Sequence, residues 1–103
     1  MNYEQNWGFM MEQTKEIADA ITTLIKLMVD HPEGVAVEAV PANEGITLRI
    51  SVDAADIGKV IGKQGRTARS LRVIVTAMGM ASKQRISVDI REKPAVSDFS
   101  QLS

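Results

Sequence analysis

The sequence has no cysteine and only one histidine among its 103 residues. A chain without cysteine forms no disulfide, no thiolate nucleophile and no zinc site built on cysteine, and it fits a reducing cytoplasm. His31 precedes Pro32 at the end of an apolar helical pattern, where we expect it to cap the helix C-terminus. Neither a histidine pair nor a Ser/His/Asp set is available for metal or nucleophilic chemistry. The sequence therefore predicts a protein that is not an enzyme and uses no cofactor or metal.

Aromatic residues are scarce, and their positions exclude some classes of binding surface. Tyr3, Trp7, Phe9 and Phe99 all lie near the two ends of the chain, so the central region contains none. RRM domains and single-strand-binding OB folds stack bases on aromatic side chains, which this chain cannot offer from its centre. No apolar run approaches the roughly 18 residues of a membrane-spanning helix. The N-terminus also lacks the basic segment of a secretion signal.

The formal net charge of -1 conceals an uneven distribution of charge along the chain. Residues 1–57 carry ten acidic and three basic residues. Residues 58–85 carry no acidic residue and seven basic ones: Lys59, Lys63, Arg66, Arg69, Arg72, Lys83 and Arg85. A basic patch on an otherwise acidic protein favours a local site for an anion, although a solvated helix face gives the same pattern.

Hydrophobic periodicity predicts one α+β domain with six elements in the order α-β-β-α-α-β. The first helix covers residues 12–30 and ends before His-Pro-Glu-Gly. Two strands at 35–40 and 46–52 flank a five-residue turn and predict a hairpin. A short helix at 54–61, a helix at 66–80 and a strand at 85–91 follow. The apolar face of the first helix is expected to contain Ile17, Ile21, Leu24, Ile25 and Met28.

The domain boundaries follow from the same pattern. We expect an N-terminal extension at 1–11, a folded domain at 12–92 and a flexible C-terminal tail at 93–103, with loose order in both terminal segments. Between the second strand and the short helix, Asp53 is well placed as an N-cap and Asp56 as an acid in the first turn. This assignment is favoured over a catalytic carboxylate pair.

The segment Gly62-Lys63-Gln64-Gly65 joins the two later helices. On the second of them, an apolar stripe formed by Leu71, Ile74, Val75 and Met78 lies nearly opposite Arg66, Arg69 and Arg72. The arginines are therefore expected to face solvent near the positive end of the helix dipole, where backbone N–H groups attract anions. Helix stability alone would favour acidic residues there. The pattern favours a phosphate-binding loop, although a tight turn between helices also needs glycine.

Two common nucleotide-binding motifs do not fit this segment. A P-loop requires Gly-x4-Gly-Lys-Ser/Thr after a strand, whereas Gly58 and Gly62 are one residue too close and Gln64 occupies the hydroxyl position. The dinucleotide fingerprint Gly-x-Gly-x-x-Gly is absent as well. Nucleotide hydrolysis is therefore not expected.

Within this order of elements, Ile61-Gly62-Lys63-Gln64-Gly65 resembles the Ile-Gly-x-x-Gly loop of KH domains. The helix-first order resembles the type II arrangement, with a three-stranded sheet packed against helices on one face. From about residue 12 to residue 91 the chain resembles the KhpA family of small bacterial RNA-binding proteins. The first eleven and last ten or so residues are additional to the family's usual compact chain.

The resemblance implies how the loop would bind RNA. In KH domains the Gly-x-x-Gly loop clamps the backbone of about four nucleotides of single strand. Gly62 and Gly65 would permit close approach, and Lys63 and Gln64 would contact phosphates. The surrounding positive field would come from Lys59, Arg66, Arg69 and Arg72. Bases would lie on an apolar floor formed by Ile57, Val60 and Ile61, each of which is equally compatible with the core, and Ile57 more so.

The resemblance also implies partners. KhpA-like proteins bind single-stranded RNA, self-associate and pair with a second KH protein of the KhpB/Jag type, and they act as RNA chaperones or post-transcriptional regulators in the cytoplasm. An alternative from another class is a protein-interaction adaptor, in which the basic helix docks an acidic partner and RNA plays no part.

Overall fold

A computed structural model describes residues 3–94 of the chain and the side chains of residues 12–94. These residues form three α-helices and a three-stranded sheet in the predicted order. The bounds are α1 Tyr3–Met28, β1 Ala36–Ala42, β2 Gly45–Val52, α2 Ile57–Ile61, α3 Arg66–Ala81 and β3 Ile86–Glu92. Single turns of 3₁₀ helix at 32–34, 54–56 and 63–65 precede β1, α2 and α3.

Alternation along the strands gives the sheet one apolar face and one polar face. The strand order is β1-β2-β3, with β1 and β2 antiparallel and β2 and β3 parallel. Val37, Ile50 and Ile90 share one row across the sheet, and Ile50 is fully buried. The neighbouring row of Glu38, Arg49 and Asp89 lies on the opposite face, because successive side chains of a strand alternate. All three helices therefore pack on a single face, as predicted.

The core lies between that apolar face and the helices. Its buried members share the inward positions of α1, β2, α2, α3 and β3: Ile17, Ile21, Ile25, Leu48, Ile50, Val52, Val60, Leu71, Val75 and Ile86. Burying a side chain of this size contributes about 1.5–3 kcal/mol relative to leaving it in water. The core therefore fixes how α2 and α3 sit above β3.

The parallel pairing of β2 with β3 determines where the loop lies. Parallel strands require a crossover connection, here residues 53–85, which carry α2 and α3 over the apolar face. Hydrogen bonds from Thr14 to Gln84 (2.9 Å) and from Ser82 to Gln13 (2.8 Å) fasten α1 to the far end of α3. The loop at 62–65 therefore lies at the other end of the domain, beside the C-terminal end of α1.

The structure describes the N-terminal segment from residue 3 and the end of α1, but only the first two residues of the predicted C-terminal tail. The helix begins at Tyr3 rather than near residue 12, so most of the predicted loose N-terminal extension belongs to α1. His31 does not cap this helix through its side chain within the described residues; its Nδ1 lies 3.6 Å from Glu33 Oε2. At the other end of the chain, the predicted flexible tail lies outside the described residues from position 95 onward.

The apolar stripes of α1 and α3 are narrower than periodicity suggested. Leu24 is 37% exposed and Ile74 is 44% exposed, although both belong to the predicted apolar faces of their helices. On α3, Ala68 and Gly79 are buried instead. A helix on a sheet surface buries only the side chains that point at the sheet, so flanking apolar residues remain accessible.

Candidate nucleic-acid interface

Gly62 ends α2 and turns the chain toward α3. Its φ of 78° lies where side chains with a Cβ are rarely found, and its N–H donates to the Gly58 carbonyl at 2.8 Å. A Cβ at Gly62 would overlap Thr67 Oγ1. Glycine is therefore required here by both backbone conformation and space.

Gln64 (φ 55°) and Gly65 (φ 72°) also have left-handed backbone conformations, and they lead directly into α3. A Cβ at Gly65 would meet no atom within 4 Å, so glycine here serves the conformation and leaves open space outside the loop. Gly65 is the N-cap of α3, and no side chain caps the helix at this end. The first turn of α3 contains no acidic residue, so its N–H groups and dipole keep their attraction for an external anion.

Four exposed cations surround this turn: Lys63, Arg66, Arg69 and Arg72. Within residues 12–94, whose side chains the structure describes, no carboxylate lies within ion-pair distance of any of them. The Arg66 guanidinium instead donates to Gln64 Oε1 at 2.9 Å. Gln64 therefore orients a neighbouring arginine at the tip of the loop.

Lys59 differs from these four cations because it already has a partner. Its Nζ lies 3.0 Å from Asp30 Oδ2, and the two side chains are 46% and 70% exposed. The hydrogen bond and the attraction between the charges lower the pKa of Asp30 and raise the pKa of Lys59 from their ordinary values. Lys59, which was predicted to contribute to the positive field around the loop, is therefore partly neutralised by Asp30.

Asp56 is a second carboxylate that sequence patterns did not assign to the site. It is fully buried, and its two oxygens accept hydrogen bonds from the backbone N–H groups of Asp30 (3.1 Å) and His31 (2.9 Å). The predicted N-cap at Asp53 is confirmed, because its Oδ1 accepts from the Ala55 N–H at 2.9 Å. Asp56 thus joins the end of α1 to the beginning of α2, just before the loop.

The apolar residues expected to form a floor for bases are not equally available. Val60 is 0% exposed and belongs to the core, so it cannot contact a ligand on the surface and is removed from the candidate site. Ile57 is partly buried and packs against the core, the favoured alternative for that residue. Ile61 is 36% exposed beside Gly62. The apolar surface next to the loop therefore consists of Ile61 and the open backbone at Gly58, where a Cβ would meet nothing within 4 Å.

A shallow depression of about 390 Å³ continues the basic surface along α3. Its lining combines two of the loop-proximal arginines with apolar and small side chains: Arg69, Arg72, Val73, Thr76, Ala77 and Met80. Val73 is 64% exposed and Met80 is 71% exposed. This surface offers both charge and apolar contact to a flexible ligand that leaves the loop.

Within residues 12–94, no group of three or more His, Asp or Glu side chains is arranged to hold a metal ion. The described helices include none that is both long and apolar enough to cross a membrane.

The model of the KhpA/KhpB KH domain matches residues 18–90, which include the whole crossover and the loop. The chain belongs to this KH-domain family. The α+β architecture and the position of the Gly-x-x-Gly segment between α2 and α3 agree with the fold that the resemblance implied.

Two bacterial proteins are similar to most of the chain. The chain is 40% identical over 76 residues to the "RNA-binding protein KhpA" of Bacillus subtilis, covering 74% of this chain and 94% of the relative. It is 43% identical over 74 residues to the KhpA protein of Leifsonia xyli, covering 72% and 95%. Both relatives are named for RNA binding, which points away from an enzyme.

One solved structure shares the fold at low sequence identity. A crystal structure of Era from Aquifex aeolicus, bound to GDP and aluminium fluoride, superimposes with a TM-score of 0.53 and 16% identity. The match covers 84% of this chain and 34% of the Era chain. This likeness shows a shared fold.

Proposed function

We propose that this protein binds single-stranded RNA through the Gly62-Lys63-Gln64-Gly65 loop and the adjoining face of α3. The observation that carries the proposal is the exposed group of Lys63, Arg66, Arg69 and Arg72, which have no carboxylate partner among the described side chains. These cations surround a helix N-terminus that no side chain caps. A phosphate backbone is the ligand that this combination favours.

Each part of the loop would then have a distinct role. Gly62 and Gly65 would hold the backbone conformation and let the sugar-phosphate chain approach it closely. Lys63 would contact a phosphate directly, and Gln64 would act both as a contact and as the group that orients Arg66. Arg69 and Arg72 would guide the strand along α3, and Ile61 would contact a base.

The expected affinity of one such site is modest. Its contacts are mostly electrostatic, and non-specific binding of this kind has dissociation constants of about 10⁻⁴–10⁻⁶ M. We therefore propose that the protein acts as a homodimer, since a second loop would raise affinity through avidity. Pairing with a KhpB/Jag-type KH protein would have the same effect.

The proposed cellular role follows the family. We propose a non-enzymatic RNA chaperone or post-transcriptional regulator that works in the cytoplasm. A positively charged surface that binds many single strands weakly is suited to that role, because it can release each of them quickly.

The proposal is tested by fluorescence anisotropy on a short labelled single-stranded RNA. The double variant Lys63→Asp, Gln64→Asp places two carboxylates against the phosphates and leaves both glycines unchanged. We expect binding at low salt to be lost, because each phosphate contact becomes a repulsion. Circular dichroism checks that the fold is retained, which is expected because both side chains are exposed.

A matched control changes the net charge equally at a distant place. Lys15→Asp with Thr23→Asp alters two exposed positions on α1 and adds the same negative charge. Loss of binding in the loop variant with retention in the control supports the clamp. Equal binding by the wild type and the loop variant would show that the arginines act generically. If the wild type binds no RNA at low salt, an acidic protein partner becomes the better hypothesis.

A further inference from the structure

Two of the seven cations in residues 58–85 have a carboxylate within 4.0 Å among the described side chains. Arg85 pairs with Glu44 at 2.6 Å, at the end of the domain that contains the hairpin turn. Lys59 pairs with Asp30 at 3.0 Å, at the end that contains the loop. The Lys59–Asp30 pair therefore sets one acid directly beside the proposed RNA site.

Asp30 is held beside Lys59 by the backbone as well as by its own charge. Its N–H donates to Asp56 Oδ1 at 3.1 Å, and the N–H of His31 donates to Oδ2 at 2.9 Å. Asp56 is fully buried, so it does not move independently of the core. Asp56 precedes α2, and Lys59 lies within α2. Asp30, which Asp56 holds in place, and its partner Lys59 are therefore both fixed to this short segment.

We propose that Asp30 is a residue that limits RNA affinity by competing with a phosphate for Lys59. This inference rests on the proposed function and adds a specific acid to it. When RNA binds, the Lys59 ammonium exchanges the carboxylate of Asp30 for a phosphate oxygen, and no covalent bond changes. The carboxylate left behind also repels the neighbouring phosphates.

The exposure of the pair determines how strong this competition is. Asp30 is 70% exposed and Lys59 46% exposed, so water screens the pair and a phosphate can replace the carboxylate at small cost. Asp30 therefore reduces affinity by a graded amount and does not block the site. We expect its charge to weaken binding about two- to fivefold at low salt, the scale of an exposed ion pair.

The experiment compares Asp30→Asn with wild type by the same anisotropy assay over a range of salt concentrations. Asparagine keeps the size of the side chain and removes the charge. We expect about two- to fivefold tighter binding at low salt. The difference between the two proteins should shrink as the salt concentration rises, because salt screens both the Lys59–Asp30 attraction and the repulsion between the Asp30 carboxylate and the phosphates.

Asp19→Asn is the matched control. Asp19 pairs with Lys15 at 3.2 Å on α1, and the two side chains are 67% and 79% exposed. The control removes the same charge from a similar exposed pair that has no part in the proposed site. If Asp19→Asn tightens binding as much as Asp30→Asn, the effect comes from net charge and the proposal is overturned.

A second comparison tests the role of Lys59 itself. In a Lys59→Ala background, Asp30→Asn should tighten binding less than it does in the wild-type background, because the competition for the lysine is gone and only the repulsion of the phosphates is relieved. Equal tightening in both backgrounds would overturn the competition. Weaker binding by Asp30→Asn than by wild type would show that Asp30 orients Lys59 productively, and would overturn the competition. Thermal melts followed by circular dichroism verify that each variant is folded.

The outcomes separate this inference from the proposed function. If RNA binding depends on Lys63 and Gln64 but Asp30→Asn does not change it, the proposed function is supported and only this inference is overturned. Absence of RNA binding by the wild type and by Asp30→Asn at low salt overturns both.

Discussion

Asp56 is the residue on which the geometry next to the loop depends most. Its carboxylate is fully buried and accepts two backbone hydrogen bonds from the segment that follows α1. Buried polar groups are tolerated only where their hydrogen bonds are made, and this one makes two with a charged acceptor. The contact fixes the end of one helix against the beginning of another that lies 25 residues further along the chain.

We predict that Asp56→Asn lowers the free energy of unfolding by about 1–3 kcal/mol. An asparagine side chain has one acceptor oxygen, so either Asp30 N–H or His31 N–H is left facing an amide NH₂ in a buried place. Urea denaturation followed by circular dichroism measures the loss. RNA binding by the folded fraction should also weaken, because α2 and the loop lose their fixed position.

Asp53→Asn serves as the control for that substitution. Asp53 is also an aspartate that accepts a backbone hydrogen bond, here from Ala55 at 2.9 Å, but it does so as an exposed N-cap. Asparagine is as good an N-cap as aspartate, so the expected change is below about 0.5 kcal/mol. Equal losses at positions 53 and 56 would contradict the role assigned to the buried carboxylate.

Each of the helices α2 and α3 contains one glycine, and these two glycines have different surroundings. A Cβ at Gly58 would meet no atom within 4 Å, so its absence is not needed for packing. A Cβ at Gly79 would lie 2.8 Å from the Gln84 carbonyl oxygen and 3.1 Å from Ile86 Cγ1. Gly79 therefore allows α3 to come close to the start of β3.

The same substitution should consequently have opposite effects at the two positions. Gly58→Ala should raise the stability by about 0.5–1 kcal/mol, because alanine loses less backbone entropy in a helix. Gly79→Ala should lower it by about 1–3 kcal/mol through overpacking against β3. Paired urea denaturation curves test this. If Gly58→Ala is stabilised but binds RNA more weakly, the RNA strand lies against α2. Stabilisation at both positions would refute the close approach at Gly79.

Local patterns in the sequence predicted most of the elements because their signals are short in range. Alternation at Ile46, Leu48 and Ile50 identified β2, and the glycine at position 62 identified the end of α2. The pattern did not predict that Leu24 and Ile74 are exposed, since that depends on where the sheet ends beneath each helix. Periodicity identifies the apolar face of a helix, but it does not show how much of that face the sheet buries.

Only those parts of the candidate site that are close together in the chain were predicted from the sequence. The loop and its arginines follow each other closely in the chain, so charge and glycine spacing were enough to locate them. The sequence left Val60 compatible with either the core or the apolar floor, because one turn of helix does not reveal which side faces the core, and the structure buries it. The partnership of Asp30 with Lys59 spans 29 positions, and no local signal indicates it.

For the whole molecule, the basic surface along α3 sets the amount of RNA that one copy can hold. α3 has 16 residues and is therefore about 24 Å long. The Gly-x-x-Gly loop at its N-terminus would clamp about four nucleotides. A single copy is thus expected to bind any one RNA weakly.

We predict that the protein self-associates and that avidity follows from it. Sedimentation velocity over a wide range of protein concentration should show a shift from monomer to dimer. An RNA long enough to reach two loops should bind more tightly than one of about four nucleotides, and the difference should grow as dimer forms. Sedimentation as a monomer throughout, with equal affinity for both RNAs, would refute this prediction.

The parallel pairing of β2 with β3 also has a kinetic consequence. The hairpin of β1 and β2 needs only a local turn, whereas β3 can pair with β2 only after residues 53–85 have been brought back across the sheet. Closing a connection of that length costs chain entropy before any of its contacts form, so we expect β3 to join late in folding. The Gly-x-x-Gly segment lies inside this connection. A refolding chain would therefore acquire its ability to clamp RNA in the last step, together with the completed sheet.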